Sequence, residues 1–255
     1  MTGYVPETVM ITGATGDFGR AFARRFAAAG SKLILAARKK DELAALAKEL
    51  KTPVHQAIFD MRDRKAIERA FAGLPPEFAA IDLLINNAGL ALGMDPPGQA
   101  DLDDWETMIE VNNKGLVICS RLALAGMAAR KLGHIINISS IAADYAYPGG
   151  HVYCATKAFV TQFSLALRCD LTASNVRVTS IEPGMVETNF SLTRFKGDAE
   201  RAAAIYRGAN ALTAEDVAES VFWAATLPPR VNISRIEMFP VTQASGPLAV
   251  HRVAS

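Results

Sequence analysis

The sequence predicts an α/β protein: one domain built on a doubly wound parallel sheet. Three observations predict it. Short apolar runs alternate with amphipathic stretches along nearly the whole chain, as repeated strand–helix units require. The apolar runs are continuous rather than alternating, the pattern of strands covered by helices on both faces. A glycine-rich segment, Thr12-Gly13-Ala14-Thr15-Gly16-Asp17-Phe18-Gly19, joins the first apolar run to the first amphipathic stretch.

Strands are expected over 9–12, 32–37, 54–59, 81–86, 134–139, 176–181 and 233–239. Helices are expected over 17–29, 41–50, 62–72, a long one near 101–130, then 152–173, 198–207 and 213–227. Gly30 follows the first helix where a left-handed residue ends it. Leu74-Pro75-Pro76 ends the third helix, and Pro183-Gly184 breaks the chain after the sixth strand. Thr213 and Asp216 have the spacing of an N-cap with an acidic first turn. No repeat, linker or composition shift divides the chain, so 1–255 reads as one domain.

Composition limits the partners. Of 255 residues, 50% are apolar and 21% charged, ordinary for a globular chain. Lys plus Arg number 27 against 26 Asp plus Glu, so no basic surface excess calls for nucleic acid or an anionic membrane. The three cysteines, Cys119, Cys154 and Cys169, form no CxxC pair. That predicts a reducing, cytoplasmic setting and no structural metal. The N-terminus lacks a basic secretory n-region, and no apolar run approaches the ~18 residues of a membrane span.

The glycine-rich turn lets backbone N–H groups approach a pyrophosphate at the positive end of the following helix. A tight turn without ligand is the plainer alternative; its place in the first βα unit favours the nucleotide. The second strand ends Ala37-Arg38-Lys39-Lys40, where a site for NAD places an acid against the ribose 2′-hydroxyl. Cations there suit a 2′-phosphate, and Arg38 is the residue to pair with it, which predicts NADP. A basic helix start on the surface is the bland account, and it leaves the absent acid unexplained.

Tyr153 and Lys157 are four apart in an expected helix and share a face. A nearby ammonium favours phenolate and moves Tyr towards working pH. Ser140 ends the preceding strand with a hydroxyl able to hold a carbonyl oxygen. Asn112 lies in the long fourth helix. Asn86-Asn87-Ala88-Gly89 ends the fourth strand, at the carboxyl edge where such sheets bind ligands.

In this order and spacing, the glycine-rich start, the NNAG run, Asn112, Ser140, Tyr153-x-x-x-Lys157 and Pro183-Gly184 resemble a classical short-chain dehydrogenase/reductase. The resemblance covers nearly the whole chain. It implies a seven-stranded Rossmann sheet ordered 3-2-1-4-5-6-7. It implies Tyr153 as general acid/base, Lys157 lowering its pKa and holding the nicotinamide ribose, Ser140 on the reacting oxygen and Asn112 anchoring a water relay. Around the cofactor it implies Gly13, Thr15, Gly16, Asp17, Phe18 and Gly19 at the turn, then Arg38, Lys39, Asp60 and Met61 at the adenosine end. Asn87, Gly89, Pro183, Gly184, Val186 and Thr188 complete that implied set, Thr188 at the nicotinamide amide. A homotetramer formed through the fourth and fifth helices is implied as well.

A narrower similarity, in Asn86–Leu92, Asp104–Leu116, Arg194–Asp198 and Pro240–Gln243, is to bacterial NADP-dependent 3-hydroxy acid dehydrogenases acting on serine, allo-threonine and 3-hydroxypropionate. Sulfoacetaldehyde reductases share much of it. A small anionic hydroxy acid or aldehyde is therefore the expected substrate. Residues 183–212 are the expected substrate-loop region, with Tyr147, Arg194 and Gln243 (in the tail, 240–255) as candidate contacts. Arg194 is otherwise a surface cation on a loop, and Tyr147 a packing residue. A non-catalytic NADP-binding protein is the rival from another class; it has no need of Ser140, Tyr153 and Lys157.

One departure stands out: the family usually has Gly where this chain has Asp17. A carboxylate there either repels the pyrophosphate or caps the helix and points away. The intact surroundings favour the cap. Cys154 is expected to be a packed thiol, and His55, His134 and His251 to have no partners. Trp105 and Trp223 are expected in the core or an interface, and 62–65 at a solvated helix start.

Overall fold

The computed structural model describes residues 4–245. Seven strands form one parallel sheet: β1 (Thr8–Thr12), β2 (Lys32–Ala37), β3 (Val54–Ile58), β4 (Leu83–Asn86), β5 (Gly133–Ile138), β6 (Val176–Pro183) and β7 (Arg235–Met238). They lie in the order β3-β2-β1-β4-β5-β6-β7. The helices are α1 (Asp17–Ala28), α2 (Lys40–Glu49), α3 (Arg64–Ala72), α4 (Leu102–Ile109), α5 (Leu116–Arg130), α6 (His151–Asp170), α7 (Phe190–Arg194), α8 (Ala199–Tyr206) and α9 (Ala214–Thr226).

Neighbouring residues of a strand feed opposite cores, as a pleated sheet requires. Val9, Ile11, Leu33 and Leu35 face Phe22 and Phe26 of α1 and Val217 and Val221 of α9. Met10, Ile34, Leu84 and Ile135 face Ile67 of α3 and Cys119 and Met127 of α5. Every residue of β1, β4, β5 and β6 is buried, which is why β1 and β4 read as largely apolar runs; β6, expected as an apolar run, also buries Arg177, Thr179, Ser180 and Glu182. The edge strands β3 and β7 are partly exposed. β7 is correspondingly shorter than the expected 233–239.

Local chemistry sets the ends. Gly30 adopts φ +88° directly after α1. Thr213 and Asp216 form a complete capping box on α9, and the buried Arg177 guanidinium donates to the carbonyls of Ala224 (3.1 Å) and Ala225 (2.8 Å) near its other end. Asp63 caps α3 by accepting from the Ala66 amide (3.0 Å).

The expected long fourth helix is three pieces: α4, a π-helical turn (Glu110–Gly115) and α5. In the π turn both Asn112 and Asn113 are buried. Asn113 Nδ2 donates to Thr156 O at 2.9 Å. Gly115 lies so close to Met61 that a Cβ would stand 2.6 Å from Met61 O. α7 was not expected at all, and the 183–212 region carries it together with α8 and a bridge between Val186 and Leu212.

No described helix is long and apolar enough to cross a membrane. Gly19 gives a stability test. A Cβ there would overlap the Gly13 carbonyl and stand 2.6 Å from Ala14 Cα, both backbone atoms that cannot swing aside. Gly19→Ala is expected to cost about 1–3 kcal/mol through forced backbone movement. Urea unfolding reads it, and an unchanged midpoint would show that the turn is not pinned there.

Candidate active site

The carboxyl edge of the sheet opens into a cleft of about 360 Å³. Its floor is the β1–α1 turn, where Gly13 adopts φ +64°. The neighbouring NNAG run is stitched to that turn. Thr12 Oγ1 accepts from the amides of Asn87 (3.0 Å) and Ala88 (3.1 Å), and Asn87 Nδ2 donates to the carbonyls of Thr12 (2.9 Å) and Gly13 (3.1 Å). Below, Asn86 Nδ2 donates to Ser120 Oγ (2.9 Å) and Asn137 Oδ1 (2.8 Å), fixing β4 to α5 and β5.

The glycines show what the cleft is shaped for. A Cβ on Gly16 would meet nothing nearer than Gly13 O, at 3.5 Å. Protein packing therefore does not demand glycine there, whereas close approach of a pyrophosphate does. Ala37, Arg38 and Lys39 line the far end of the cleft. Asp60 lies there too, but its carboxylate is held by Arg62 through Nε (3.1 Å) and Nη2 (2.9 Å), with Arg38 at 3.7 Å. These partners keep Asp60 below the usual carboxylate range. The residues present thus fit a dinucleotide with a phosphate on its adenosine ribose.

At the other end, Tyr153 and Lys157 project from α6 beside Ser140. Ser140 caps a short 3-10 turn (Ile141–Ala143), its Oγ accepting from the Ala142 amide at 3.1 Å. Lys157 Nζ donates to Ile138 O at 2.8 Å and stands 5.8 Å from the Tyr153 ring centroid. Asn112 brackets Leu90, accepting from its amide and donating to its carbonyl, both at 2.9 Å, and reaches Thr156 Oγ1 at 3.0 Å. A Cβ on Gly89 would lie 3.4 Å from Asn112 Oδ1 and 3.5 Å from Lys157 Nζ, which places both groups beside the NNAG run.

Arg194 is no surface cation. It ends α7 with its Nη2 donating to Tyr147 Oη at 2.6 Å and its guanidinium 4.9 Å from the Tyr153 ring centroid. Its Nε is buried without a hydrogen-bond partner.

A model of the short chain dehydrogenase family matches residues 7–199. The chain belongs to the short-chain dehydrogenases. It is 54% identical over 245 residues to the NADP-dependent 3-hydroxy acid dehydrogenase YdfG of Salmonella typhi, covering 96% of this chain and 99% of that one. It is 49% identical over 249 residues to sulfoacetaldehyde reductase 2 of Chromohalobacter salexigens, with the same coverage. A closed form of serine dehydrogenase complexed with NADP+ superposes with a TM-score of 0.92 at 53% identity, covering 96% of this chain and all of that one.

The electrostatics of this dehydrogenase cleft are set by burial and by one cation. Burial raises the Tyr153 pKa, while Arg194 and a hydrogen bond with Ser140 pull it back down. Burial alone brings Lys157 down to about 8. The expectation gave the work on Tyr153 to Lys157; the structure brings the Arg194 guanidinium nearer to that ring.

Several expectations need correction. Asp17 does not cap α1: the N-cap is Gly16, with no side-chain cap bond. The Asp17 carboxylate instead accepts from Asn189, at its amide N (2.7 Å) and its Nδ2 (3.2 Å). Gln243 Oε1 accepts from the Met185 amide at 2.7 Å, bracing the loop after β6. Gly19 is buried against the turn rather than open to the cleft. His134 has a partner, Thr179 Oγ1 at 2.8 Å, and His55 packs on Phe78; His251 lies outside the described residues. Trp105 packs on His151, and Trp223 is 52% exposed. Cys154 is buried, as expected. Asp144, Glu182 and Glu237 have metal-compatible spacing, but Arg235 occupies the first two.

Lys157 yields a pH prediction for ligand-free protein. Its folded pKa of about 8 lies below the unfolded 10.5, so between those values the unfolded chain binds more protons. Stability from this group therefore rises with pH across that window. Relative to Lys157→Met, wild type is expected to gain about 2 kcal/mol between pH 8 and 10. Urea titrations at the two pH values check it; parallel profiles would mean the amine is not desolvated.

Proposed function

We propose that this chain is an NADP-dependent oxidoreductase of the CH–OH class, working as a single cofactor-binding and catalytic unit. Its substrate is a small 3-hydroxy acid of the serine, allo-threonine or 3-hydroxypropionate type, or the carbonyl counterpart. The observation that carries this reading is Arg194, which sets a guanidinium with an unpaired buried Nε beside the ring of the one tyrosine flanked by Ser140 and Lys157. A carboxylate docked on that guanidinium, with Tyr147 Oη alongside, puts a nearby hydroxyl or carbonyl within reach of Tyr153 and Ser140.

The bound nicotinamide supplies or accepts the hydride. In reduction, Ser140 Oγ donates to the substrate carbonyl oxygen and Tyr153 Oη gives it a proton; in oxidation Tyr153 takes the proton back. Lys157 holds the nicotinamide ribose, and its ammonium and Asn112 belong to the path that returns the proton to Tyr153. Gly13, Thr15, Gly16 and Phe18 cradle the pyrophosphate, and Arg38 and Lys39 meet the 2′-phosphate. Asp60 and Met61 flank the adenine. Asn87, Gly89, Pro183, Gly184, Val186 and Thr188 wall the nicotinamide end. Gln243 acts on this site through Met185.

A second reading is favoured by the relative that is a sulfoacetaldehyde reductase: a guanidinium recognises a sulfonate as it does a carboxylate. The assembly we propose is a homotetramer through α5 and α6. Phe159 of α6, 44% exposed and stacked on Phe163 at 6.0 Å, supports it. A cytoplasmic setting belongs to the same reading, supported by three free thiols.

Tyr153→Phe removes the ionisable oxygen and keeps the ring. Turnover should fall ~10²–10⁴-fold with NADPH affinity intact; a loss below tenfold would sink the acid/base assignment. Arg194→Met should raise KM at least ~tenfold for anionic substrates and much less for an uncharged ketone. Steady-state kinetics on matched pairs decide this. Equal effects on both would remove Arg194 from the anion site.

A further inference from the structure

The helix α7 is fastened at both ends. At its far end the Gly93 amide donates to Arg194 O at 3.0 Å. Lys196, two residues on, pairs with Asp104 at 2.8 Å and Asp101 at 3.6 Å. At its near end both oxygens of Asp17 hold Asn189, the residue just before α7, across 172 positions of sequence. Asp17, Asn189, Phe190 and Thr193 all line the dinucleotide cleft. The Phe190 ring packs 5.6 Å from that of Tyr153. A strap thus crosses the mouth of the cleft, and its cofactor-side fastening is a carboxylate rooted in the first turn of α1.

That carboxylate stands in the first turn of α1, beside the glycine turn to which the reading above assigns the pyrophosphate. An unengaged anion there would oppose the phosphates. Two donors from Asn189 give it another use.

We propose that Asp17 is a positioning residue that acts through Asn189: it clasps α7 over the cleft and sets how fast NADP(H) enters and leaves. The inference rests on the NADP reading above. The clasp spans the mouth of the cleft, and in this proposal it closes alike with and without cofactor, so it must open for entry as well as for exit. Its loss therefore speeds both rates and leaves the equilibrium affinity nearly in place. A gate of this kind governs turnover wherever product release is the slow step.

The test is stopped-flow NADPH fluorescence on wild type, Asp17→Ala, Asp17→Asn and Asn189→Ala, together with amide exchange on the ligand-free proteins. For Asp17→Ala, association and dissociation rates should both rise about tenfold, the effect of one charge-assisted hydrogen bond at a partly exposed position. Kd should change less than about threefold. Asp17→Asn keeps an oxygen for the Asn189 amide and should fall between. Asn189→Ala keeps the 2.7 Å backbone bond and should stay within about threefold of wild type.

In ligand-free Asp17→Ala the Asn189 amide should lose protection. Unchanged rates, or slower release with tighter binding in Asp17→Asn, would overturn the proposal and leave Asp17 as a charge that merely repels phosphate. Weaker binding with an unaltered association rate would also overturn it, since general damage to the turn behaves so. If wild type bound no NADPH, the cofactor reading would fail by itself. Amide exchange at Asn189 would still decide whether the clasp exists.

Discussion

All seven strands run the same way, so every strand-to-helix turn falls on one edge of the sheet. That geometric constraint explains why residues from Gly13 to Asn189 meet in one cleft. It works only if the turns stay in register, and the Thr12 hydroxyl has a central part in this. It accepts from two successive amides of the NNAG run while Asn87 reaches back to two carbonyls of the glycine turn. The two amides and two carbonyls that these side chains meet are otherwise backbone groups left over where a strand ends. Pairing them removes a desolvation cost and locks β1 to β4 at the point where phosphates approach.

The same economy shapes the catalytic end. A buried phenol and a buried amine are both costly to ionise, and burial pushes Tyr153 up and Lys157 down. Burial thereby moves the two pKa values apart, each group towards its neutral form, and a further charge is needed to bring the phenol back towards working pH. Arg194 supplies one from α7, so the field at Tyr153 depends on a short helix belonging to the strap rather than to the sheet. Acid/base competence and closure of the cleft are consequently linked: if α7 lifts, the cation 4.9 Å from the ring leaves with it.

How much of this the sequence carries depends on how local the cause is. The central strands are legible because helices cover both faces, and burial on both faces leaves largely apolar runs such as Val9-Met10-Ile11 and Leu83-Leu84-Ile85. The edges β3 and β7 are less so, being open to solvent. The π turn escapes a periodicity argument because its cause lies elsewhere: Met61 presses on Gly115, and Leu90 offers two backbone groups to Asn112. The Tyr153–Lys157 pair is visible from helical spacing, but its electrostatics are not, since the nearer cation is 41 positions away on an unforeseen helix. His134 shows the same limit; its partner Thr179 is reached across two adjacent strands.

The five residues of α7 are too few to form a stable helix alone. Their conformation comes from what holds the two ends, and neither fastening has a signal within its own segment. Asp17 was legible as a departure from a pattern, yet its local sequence pointed to a helix cap, because a cap is what a carboxylate at a helix start most often makes. The tertiary fold gives it a stronger partner. Asn189 offers a backbone amide that α7, beginning there, leaves unpaired, and an amide side chain aligned with it. A carboxylate with two oxygens satisfies both at once, whereas a capping geometry would use one. The position that looked like a defect in a phosphate-binding turn thus resolves an unpaired donor on the opposite wall of the cleft.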